Sequence, residues 1–249
     1  MLIQSDYHIH AAFYRIKKEG DAPGPTAAEQ LAAARKDGSV YVGIVEHCNT
    51  APKHPFSCLE ALSREYHHPD FPRENVFLGV ESDLSPDGSD HCGKEGRQVL
   101  GLHYVIGSVH MSPVSTADCK EYIDHEYKCV TNALKYNDNI DFIGHPFGEG
   151  IRWERNESIP KWSWSMIPEK YLEEILRLAK ETGKALEVNR CNFEDPCYLD
   201  FLKRIRDDKI FFEVGSDAHK TFATVNATTR TAALEKLEFQ EEQHWRPAL

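Results

Sequence analysis

Short apolar runs alternate along the chain with longer amphipathic stretches, and this alternation is the feature that most limits the possible folds. The short runs have the length and composition of buried β-strands, and the longer stretches have helical spacing. Parallel strands need crossover connections of this kind, and closing the sheet removes its two exposed edges. The pattern therefore predicts an α/β fold with a parallel barrel. The predicted strands are 2–8, 41–46, 76–80, 104–108, 140–143, 185–188 and 210–214, and the predicted helices are 26–36, 56–67, 116–136, 168–182, 198–207 and 227–238.

Several predicted helices carry recognisable end signals. Thr26, with Glu29 three residues later, has the pattern of a capping box, and Pro168 stands just before a helix. Gly183 is a typical C-cap for the same helix. Two stretches, 82–102 and 144–166, are predicted to be long loops over one end of the barrel. The tryptophans of the second stretch could line a pocket or pack the segment onto the barrel.

Length and composition favour one domain over residues 1–249, since 249 residues can form a full core and no linker-like break interrupts them. The beginning of the chain does not resemble a secretory signal, and no apolar run is long enough to cross a bilayer. Seven scattered cysteines without a Cys-x-x-Cys pair argue against a disulfide framework. We therefore expect a cytoplasmic protein that has no membrane partner.

The formal net charge of −11 argues against a long nucleic acid as the partner, because duplex binding draws on clustered Lys and Arg. Bound divalent cations would nevertheless create a local positive field for a small anionic substrate. The sequence leaves the oligomeric state open.

Histidines and carboxylates gather where the predicted strands end, and six of the 13 histidines occupy such positions. The carboxyl ends of parallel barrel strands form one rim, so these side chains should converge there. A single His-x-His, a lone histidine before proline or a lone glutamate is more often structural. Their joint occurrence favours a divalent metal site. The histidines and carboxylates at these strand ends are His8, His10, Glu46, His47, Glu81, Asp83, His110, His145, Glu187, Asp217 and His219.

Six short stretches that contain most of these positions resemble the motifs of the polymerase and histidinol phosphatase (PHP) superfamily, particularly its stand-alone histidinol phosphatases. The resemblance spans nearly the whole chain in the family's order, and it implies a distorted (β/α)7 barrel, similar to a TIM barrel, with a site for two or three divalent ions of zinc, manganese or iron. The matching stretches are Asp6-Tyr7-His8-Ile9-His10, Gly43-Ile44-Val45-Glu46-His47, Gly79-Val80-Glu81, Gly107-Ser108-Val109-His110, Ile143-Gly144-His145-Pro146 and Gly215-Ser216-Asp217-Ala218-His219.

The resemblance assigns eight metal ligands to this chain. It implies that His8, His10, Glu81 and Asp217 bind one ion, that Glu81 bridges to a second ion held by His110 and His145, and that His47 and His219 hold a third. The family usually has a further Asp or His shortly after His-x-His, but residues 11–16 contain neither. The third site could be weak, empty or completed by Asp21. Glu46 stands where the family often has Asp, and we expect it to support the ligands.

The predicted activity is phosphomonoester hydrolysis, with L-histidinol phosphate as the candidate substrate. A hydroxide bridging two cations would attack phosphorus, because coordination lowers the pKa of water. Glu81 would bridge the ions, and Asp217 or His219 could assist the leaving group. Arg152 and Arg190 are the predicted phosphate contacts, since the guanidinium can engage two oxygens at once, although each could instead form a structural ion pair.

Two other functions remain possible at this point. One is a phosphodiesterase or exonuclease acting on small nucleotide substrates, as other PHP members are. The other is a non-catalytic metal-binding domain, against which the retention of the ligand set argues. The predicted partner in the favoured case is a small phosphate ester.

Overall fold

The strands form a nearly closed parallel barrel. The computed structural model describes residues 1–11, 24–49, 56–110, 119–155, 161–189, 193–219 and 227–247. The sheet order β1-β2-β4-β5-β6-β7-β8 follows the chain, and a bridge between Ile9 and Ala218 links the first strand to the segment after the last. The strands are β1 (Ser5–His10), β2 (Tyr41–Val45), β3 (His47–Cys48), β4 (Val76–Asp83), β5 (Tyr104–Ser108), β6 (Phe142–Ile143), β7 (Ala185–Asn189) and β8 (Phe212–Gly215).

The two short strands β2 and β3 share one position in the barrel. Val42 pairs with Val76 and His47 pairs with Glu81, so β3 continues the pairing of β2 along β4 in the same register. The barrel therefore has seven strand positions in the described part of the chain. This confirms the predicted (β/α)7 barrel.

Helices connect the strands and cover the outside of the barrel. Thr26 caps the first helix, because its hydroxyl accepts from the Glu29 amide while the Glu29 carboxylate accepts from the Thr26 amide, as predicted. Gly183 ends the sixth helix in the left-handed conformation, also as predicted. The helices are α1 (Ala27–Lys36), α2 (Phe56–Tyr66), α3 (Gly93–Leu100), α4 (Cys119–Tyr136), α5 (Glu149–Arg155), α6 (Glu169–Thr182), α7 (Pro196–Asp207) and α8 (Ala227–Lys236).

The prediction of two long loops at 82–102 and 144–166 was wrong in part. The first contains α3, whose two glycines hid its helical character, since glycine has low helix propensity. The second contains α5 and a 3₁₀ turn at Trp164–Met166. Trp164 is buried against Phe147, Tyr198 and Phe201, so this tryptophan packs the segment onto the barrel.

An aromatic cluster fills the barrel at the end where the strands begin. Tyr7, Phe77, Tyr104 and Phe142 are buried there, and Trp245 packs on them from the C-terminal segment. The Tyr104 hydroxyl donates to the Tyr7 carbonyl at 2.6 Å. Side chains therefore fill this end of the barrel, so a functional site is expected at the opposite end, where the strands finish.

A register shift in β1 allows this strand to place side chains at both ends of the barrel. The pairing of β1 with β2 slips between Asp6 and Ile9. Such a bulge breaks strict alternation, so Tyr7 joins the aromatic cluster while His8 and His10 both reach the other end. None of the helices in the described ranges has the length and apolar character needed to span a membrane.

Candidate metal centre

The eight predicted ligands all lie at the carboxyl ends of the barrel strands. Within the described residues, seven of them form three overlapping groups whose ligand atoms lie within 4.8 Å of one another, and the eighth, His145, contacts Glu81. The groups are His8, His10, Glu81 and Asp217; His47, Glu81 and His110; and His10, His47 and His219.

Glu81 occupies the centre of the cluster because alternation along β4 points its side chain into the barrel. Its Oε1 lies 2.9 Å from His145 Nε2, 3.1 Å from His110 Nε2 and 3.2 Å from His8 Nε2. The carboxylate is fully buried. One oxygen thus faces imidazoles from three different strand ends.

The other oxygen of Glu81 faces a second set of imidazoles. Oε2 lies 2.9 Å from His47 Nδ1 and 3.2 Å from His10 Nε2. Glu81 therefore stands between two sets of ligands, as a bridging carboxylate must. His47 lies closer to this bridge than the family-based assignment implied, because it approaches Glu81 as well as His219.

Asp217 completes the group around His8 and His10. Its Oδ1 lies 3.3 Å from His10 Nε2 and 3.7 Å from His8 Nε2. The backbone at Asp217 has a φ of 53°, in the left-handed region that residues other than glycine seldom adopt. Non-glycine residues held in this conformation are often found at functional sites.

The spacing of nitrogen atoms fits a divalent cation. His8 Nε2 and His10 Nε2 are 3.2 Å apart, and His47 Nε2 and His219 Nε2 are 3.1 Å apart. Two ligands of one zinc ion at about 2.1 Å lie about 3.4 Å apart across a tetrahedral edge. Buried oxygens without a hydrogen-bond partner, Glu81 Oε2 and Asp217 Oδ1, point into the same space. Imidazole nitrogens and carboxylate oxygens in this arrangement suit zinc, manganese or iron.

The second ring nitrogen of several ligands is held by an acceptor. His8 Nδ1 lies 2.8 Å from Glu187 Oε1, His110 Nδ1 lies 2.6 Å from Asp83 Oδ1, and His219 Nδ1 lies 2.9 Å from the Asp217 carbonyl. Such contacts fix the orientation and tautomer of a ligating imidazole.

Sequence reasoning placed Glu187 and Asp83 at strand ends but gave them no role. The spacing of Asp83, two residues after Glu81 on one strand, was an available signal, because both side chains share a face. Glu46 lies with its Oε1 4.0 Å from His10 Nδ1, where it can support that ligand.

The imidazoles differ in their affinity for protons. Burial lowers the pKa of His10, but the nearby carboxylates of Asp217, Glu46 and Glu81 outweigh it and raise that pKa to about 10. Burial and the neighbouring His10 lower the pKa of His219 to about 3. His219 is therefore neutral at pH 7, which is the form that binds metals, whereas a cation at His10 must displace a proton.

Of the two predicted phosphate contacts, Arg152 lies within the described residues. Arg152 lies on α5, its side chain is 58% exposed, and its Nη1 donates to Glu149 Oε2 at 3.0 Å. This ion pair is the structural alternative considered for it. Arg190 and Asp21 lie outside the described residues.

Comparison with known proteins connects this geometry with phosphate chemistry. No protein-family model matches the chain. The chain is 30% identical over 211 residues to a probable phosphatase of Thermoanaerobacter sp. (strain X514), covering 79% of this chain and 74% of the relative. It is 25% identical over 232 residues to the DNA polymerase/3'-5' exonuclease PolX of Bacillus subtilis (strain 168), covering 87% of this chain and 34% of PolX.

A solved structure has the same fold. Histidinol phosphate phosphatase of Lactococcus lactis subsp. lactis Il1403, complexed with zinc, L-histidinol and phosphate, superposes with a TM-score of 0.64 at 18% sequence identity. The superposition covers 96% of this chain and 95% of that one. The barrel described above is therefore a known architecture over nearly the whole chain.

Proposed function

The chain belongs to the PHP superfamily, and we propose that it is a metal-dependent phosphomonoesterase whose substrate is L-histidinol phosphate. The observation that carries the proposal is the buried Glu81 carboxylate, which faces five imidazoles at distances of 2.9–3.2 Å. The probable phosphatases among its relatives and the fold of the Lactococcus lactis enzyme support the choice of reaction and substrate.

The ligand sets assign residues to two or three ions. His8, His10, Glu81 and Asp217 would hold one ion. His110 and His145, together with Glu81 and with His47 nearby, would hold a second. His219 with His47 and His10 would hold a third. Divalent ions bound there would lower the pKa of water and neutralise phosphoryl oxygens.

The protein's own groups hold this site in place and open it on one side. Glu81 is fully buried, whereas the side chains of Asp217 and His219 are 36% and 23% exposed. A phosphate ester would therefore approach from the side of Asp217 and His219. The low pKa values of both groups favour their roles as ligands over the role of proton donor to the leaving group.

A second candidate function is hydrolysis of a small phosphodiester. The observation that favours it is the similarity to PolX over 87% of this chain. The net charge of −11 argues against a long polymer but not against a nucleotide-sized substrate.

A panel of three substrates separates these functions. Phosphate release from L-histidinol phosphate and p-nitrophenyl phosphate, and p-nitrophenol release from bis(p-nitrophenyl) phosphate, should be measured with protein reconstituted with zinc or manganese. We expect kcat/KM for L-histidinol phosphate to exceed that for the aryl monoester by at least about 100-fold, because a site with polar contacts discriminates strongly. Preference for the diester would support the second candidate, and equal rates on both monoesters would refute the proposed substrate.

A further inference from the structure

We propose that Glu187 is a positioning residue that couples two ion sites by holding one ligand of each. The inference rests on the proposed metal centre but not on the identity of the substrate. Glu187 lies on β7, is 1% exposed, and directs both carboxylate oxygens at ligand residues. Its Oε1 lies 2.8 Å from His8 Nδ1, and its Oε2 accepts a hydrogen bond from the backbone amide of His145.

The two residues that Glu187 holds belong to different ligand sets. His8 lies in the group with His10 and Asp217, whereas His145 is assigned to the second ion with His110 under the proposed function, and both imidazoles face Glu81 Oε1. The rings of His8 and His145 stack with centroids 5.8 Å apart and planes 19° from parallel. A shift of the Glu187 carboxylate would therefore move one ligand of each ion.

Neighbouring glycines provide the space for this carboxylate. A Cβ at Gly215 would lie 1.5 Å from Glu187 Oε1, which is far inside van der Waals contact. A Cβ at Gly144 would lie 2.3 Å from Ser108 Oγ and 3.6 Å from Glu187 Oε2. The strands on both sides of β7 thus lead into residues without side chains beside Glu187, and the carboxylate has a fixed position.

The backbone at His145 depends on the same contact. His145 has a φ of 26°, a conformation that residues other than glycine seldom adopt. The amide of such a residue needs an acceptor when it is buried. Glu187 Oε2 supplies it, and this orients the His145 ring towards Glu81.

A buried carboxylate on the neighbouring strand provides a matched control. Glu213 on β8 pairs in register with Glu187 and is also fully buried. Its Oε1 accepts from the Tyr7 amide at 3.0 Å, and Tyr7 belongs to the aromatic cluster. Burial, together with Glu187 and Asp6, raises the pKa of Glu213 well above its usual value, so Glu213→Gln preserves a neutral side chain of the same shape.

The test compares ion binding by Glu187→Gln and Glu213→Gln. A glutamine offers one oxygen, so it can serve the imidazole N–H of His8 or the amide of His145, but not both. We expect Glu187→Gln to weaken binding of both ions by about 10- to 100-fold, the usual effect of losing a contact that orients ligands. Glu213→Gln should bind zinc as the wild type does. Titration with zinc against a competing chelator gives the affinities and the number of ions bound.

Asp83→Asn supplies a contrast, because the Asp83 carboxylate contacts His110, which is a proposed ligand of one ion. This substitution should weaken the binding of one ion and leave the affinity for the other ion unchanged. Excess zinc should restore kcat in Glu187→Gln, and its melting temperature in chelator should match that of the wild type, which a merely structural defect would not allow. The inference would be overturned if Glu187→Gln weakened the binding of a single ion, or if Glu213→Gln reduced zinc affinity as much as Glu187→Gln does. Normal ion binding by a wild type that does not hydrolyse L-histidinol phosphate would refute the substrate and leave this inference standing.

Discussion

Glu126 is a buried acid outside the metal centre, and its environment makes its ionisation costly. It lies on α4, is 2% exposed, and accepts a hydrogen bond from the amide of Phe147. Burial raises the pKa of Glu126 to about 7. Because Phe147 has a φ of 58°, this contact holds the chain just after His145 in an unusual conformation.

The stability of the protein should therefore depend on the proton of Glu126. Its pKa is higher in the folded protein than the 4.5 of an ordinary glutamate, so the folded state holds more protons between pH 4.5 and about 7. The contribution of Glu126 to the free energy of unfolding falls as pH rises through this window. We expect Glu126→Gln to be more stable than the wild type at pH 8 by on the order of 3 kcal/mol and nearly equal to it at pH 4.

Urea unfolding at pH 4 and pH 8 measures this difference. Glu121→Gln is the matched control, since Glu121 is exposed on the same helix and should change neither value. If Glu126→Gln and the wild type had the same free energy of unfolding at pH 8, burial would not make the ionisation of Glu126 costly.

Removing the central carboxylate should abolish activity. Glu81→Ala takes away the only group that faces both sets of imidazoles among the residues described. We expect kcat/KM to fall by at least about 1000-fold, because charge stabilisation at the reacting phosphate depends on both sets. Glu95→Ala, on the exposed side of α3, should retain full activity. Retention of most activity by Glu81→Ala would contradict the assignment.

At the scale of elements, the aromatic cluster at one end of the barrel stabilises the fold, and the opposite end holds the metal centre. β4 begins at the aromatic cluster with Phe77 and ends in the metal centre with Glu81, so one strand joins the two ends. Trp245 closes the aromatic end, and its amide donates to the Phe212 carbonyl at the start of β8. Its ring lies 5.0 Å from that of Phe142 and 5.6 Å from that of Tyr7.

We expect Trp245→Ala to cost stability but not activity. The half-buried ring should contribute about 2 kcal/mol, less than a fully buried tryptophan. Its distance from the metal centre along the barrel predicts kcat/KM within about twofold of the wild type. Thermal unfolding and phosphate release measure the two quantities. A large loss of kcat/KM with unchanged stability would contradict this separation of roles.

The elements show how far sequence alone could reach. The apolar runs ending in histidine predicted the strands and the convergence of the eight ligands, because strand direction in a parallel barrel decides which ends meet. The helix at Gly93–Leu100 was missed, since packing and the cap at Gly101 overcome the low propensity of its glycines.

The contacts that hold the ligand residues in place could not be predicted from the sequence, for a different reason. That Glu187 bonds both His8 and His145 depends on room left by Gly215, which belongs to another strand. Such contacts arise from side-chain positions in three dimensions and leave no periodic signal in the sequence. The roles of Arg152 and Arg190 as phosphate contacts stay predictions.

At the scale of the whole molecule, bound cations should contribute to stability. Eight ligand residues from six of the seven strand positions converge at one end of the barrel, so ions bound there would cross-link the barrel rim. A ligand that binds only the folded state adds about 4 kcal/mol when its concentration is 1000 times Kd. In a chain of this size, that corresponds to a drop of about 10 °C in Tm on chelation.

Differential scanning calorimetry with and without a chelator checks this expectation. Glu81→Ala serves as the control, because its Tm should respond little to chelation. An unchanged Tm of the wild type in chelator would show that the cluster does not bind ions tightly enough to stabilise the fold.

The most direct test of the metal-dependent phosphatase is phosphate release measured alongside bound zinc in the wild-type protein. A chelator should remove the ions and abolish hydrolysis of an aryl phosphate, and added zinc should restore the rate in step with the number of ions bound. Undiminished hydrolysis by protein shown to be free of metal would contradict the central claim.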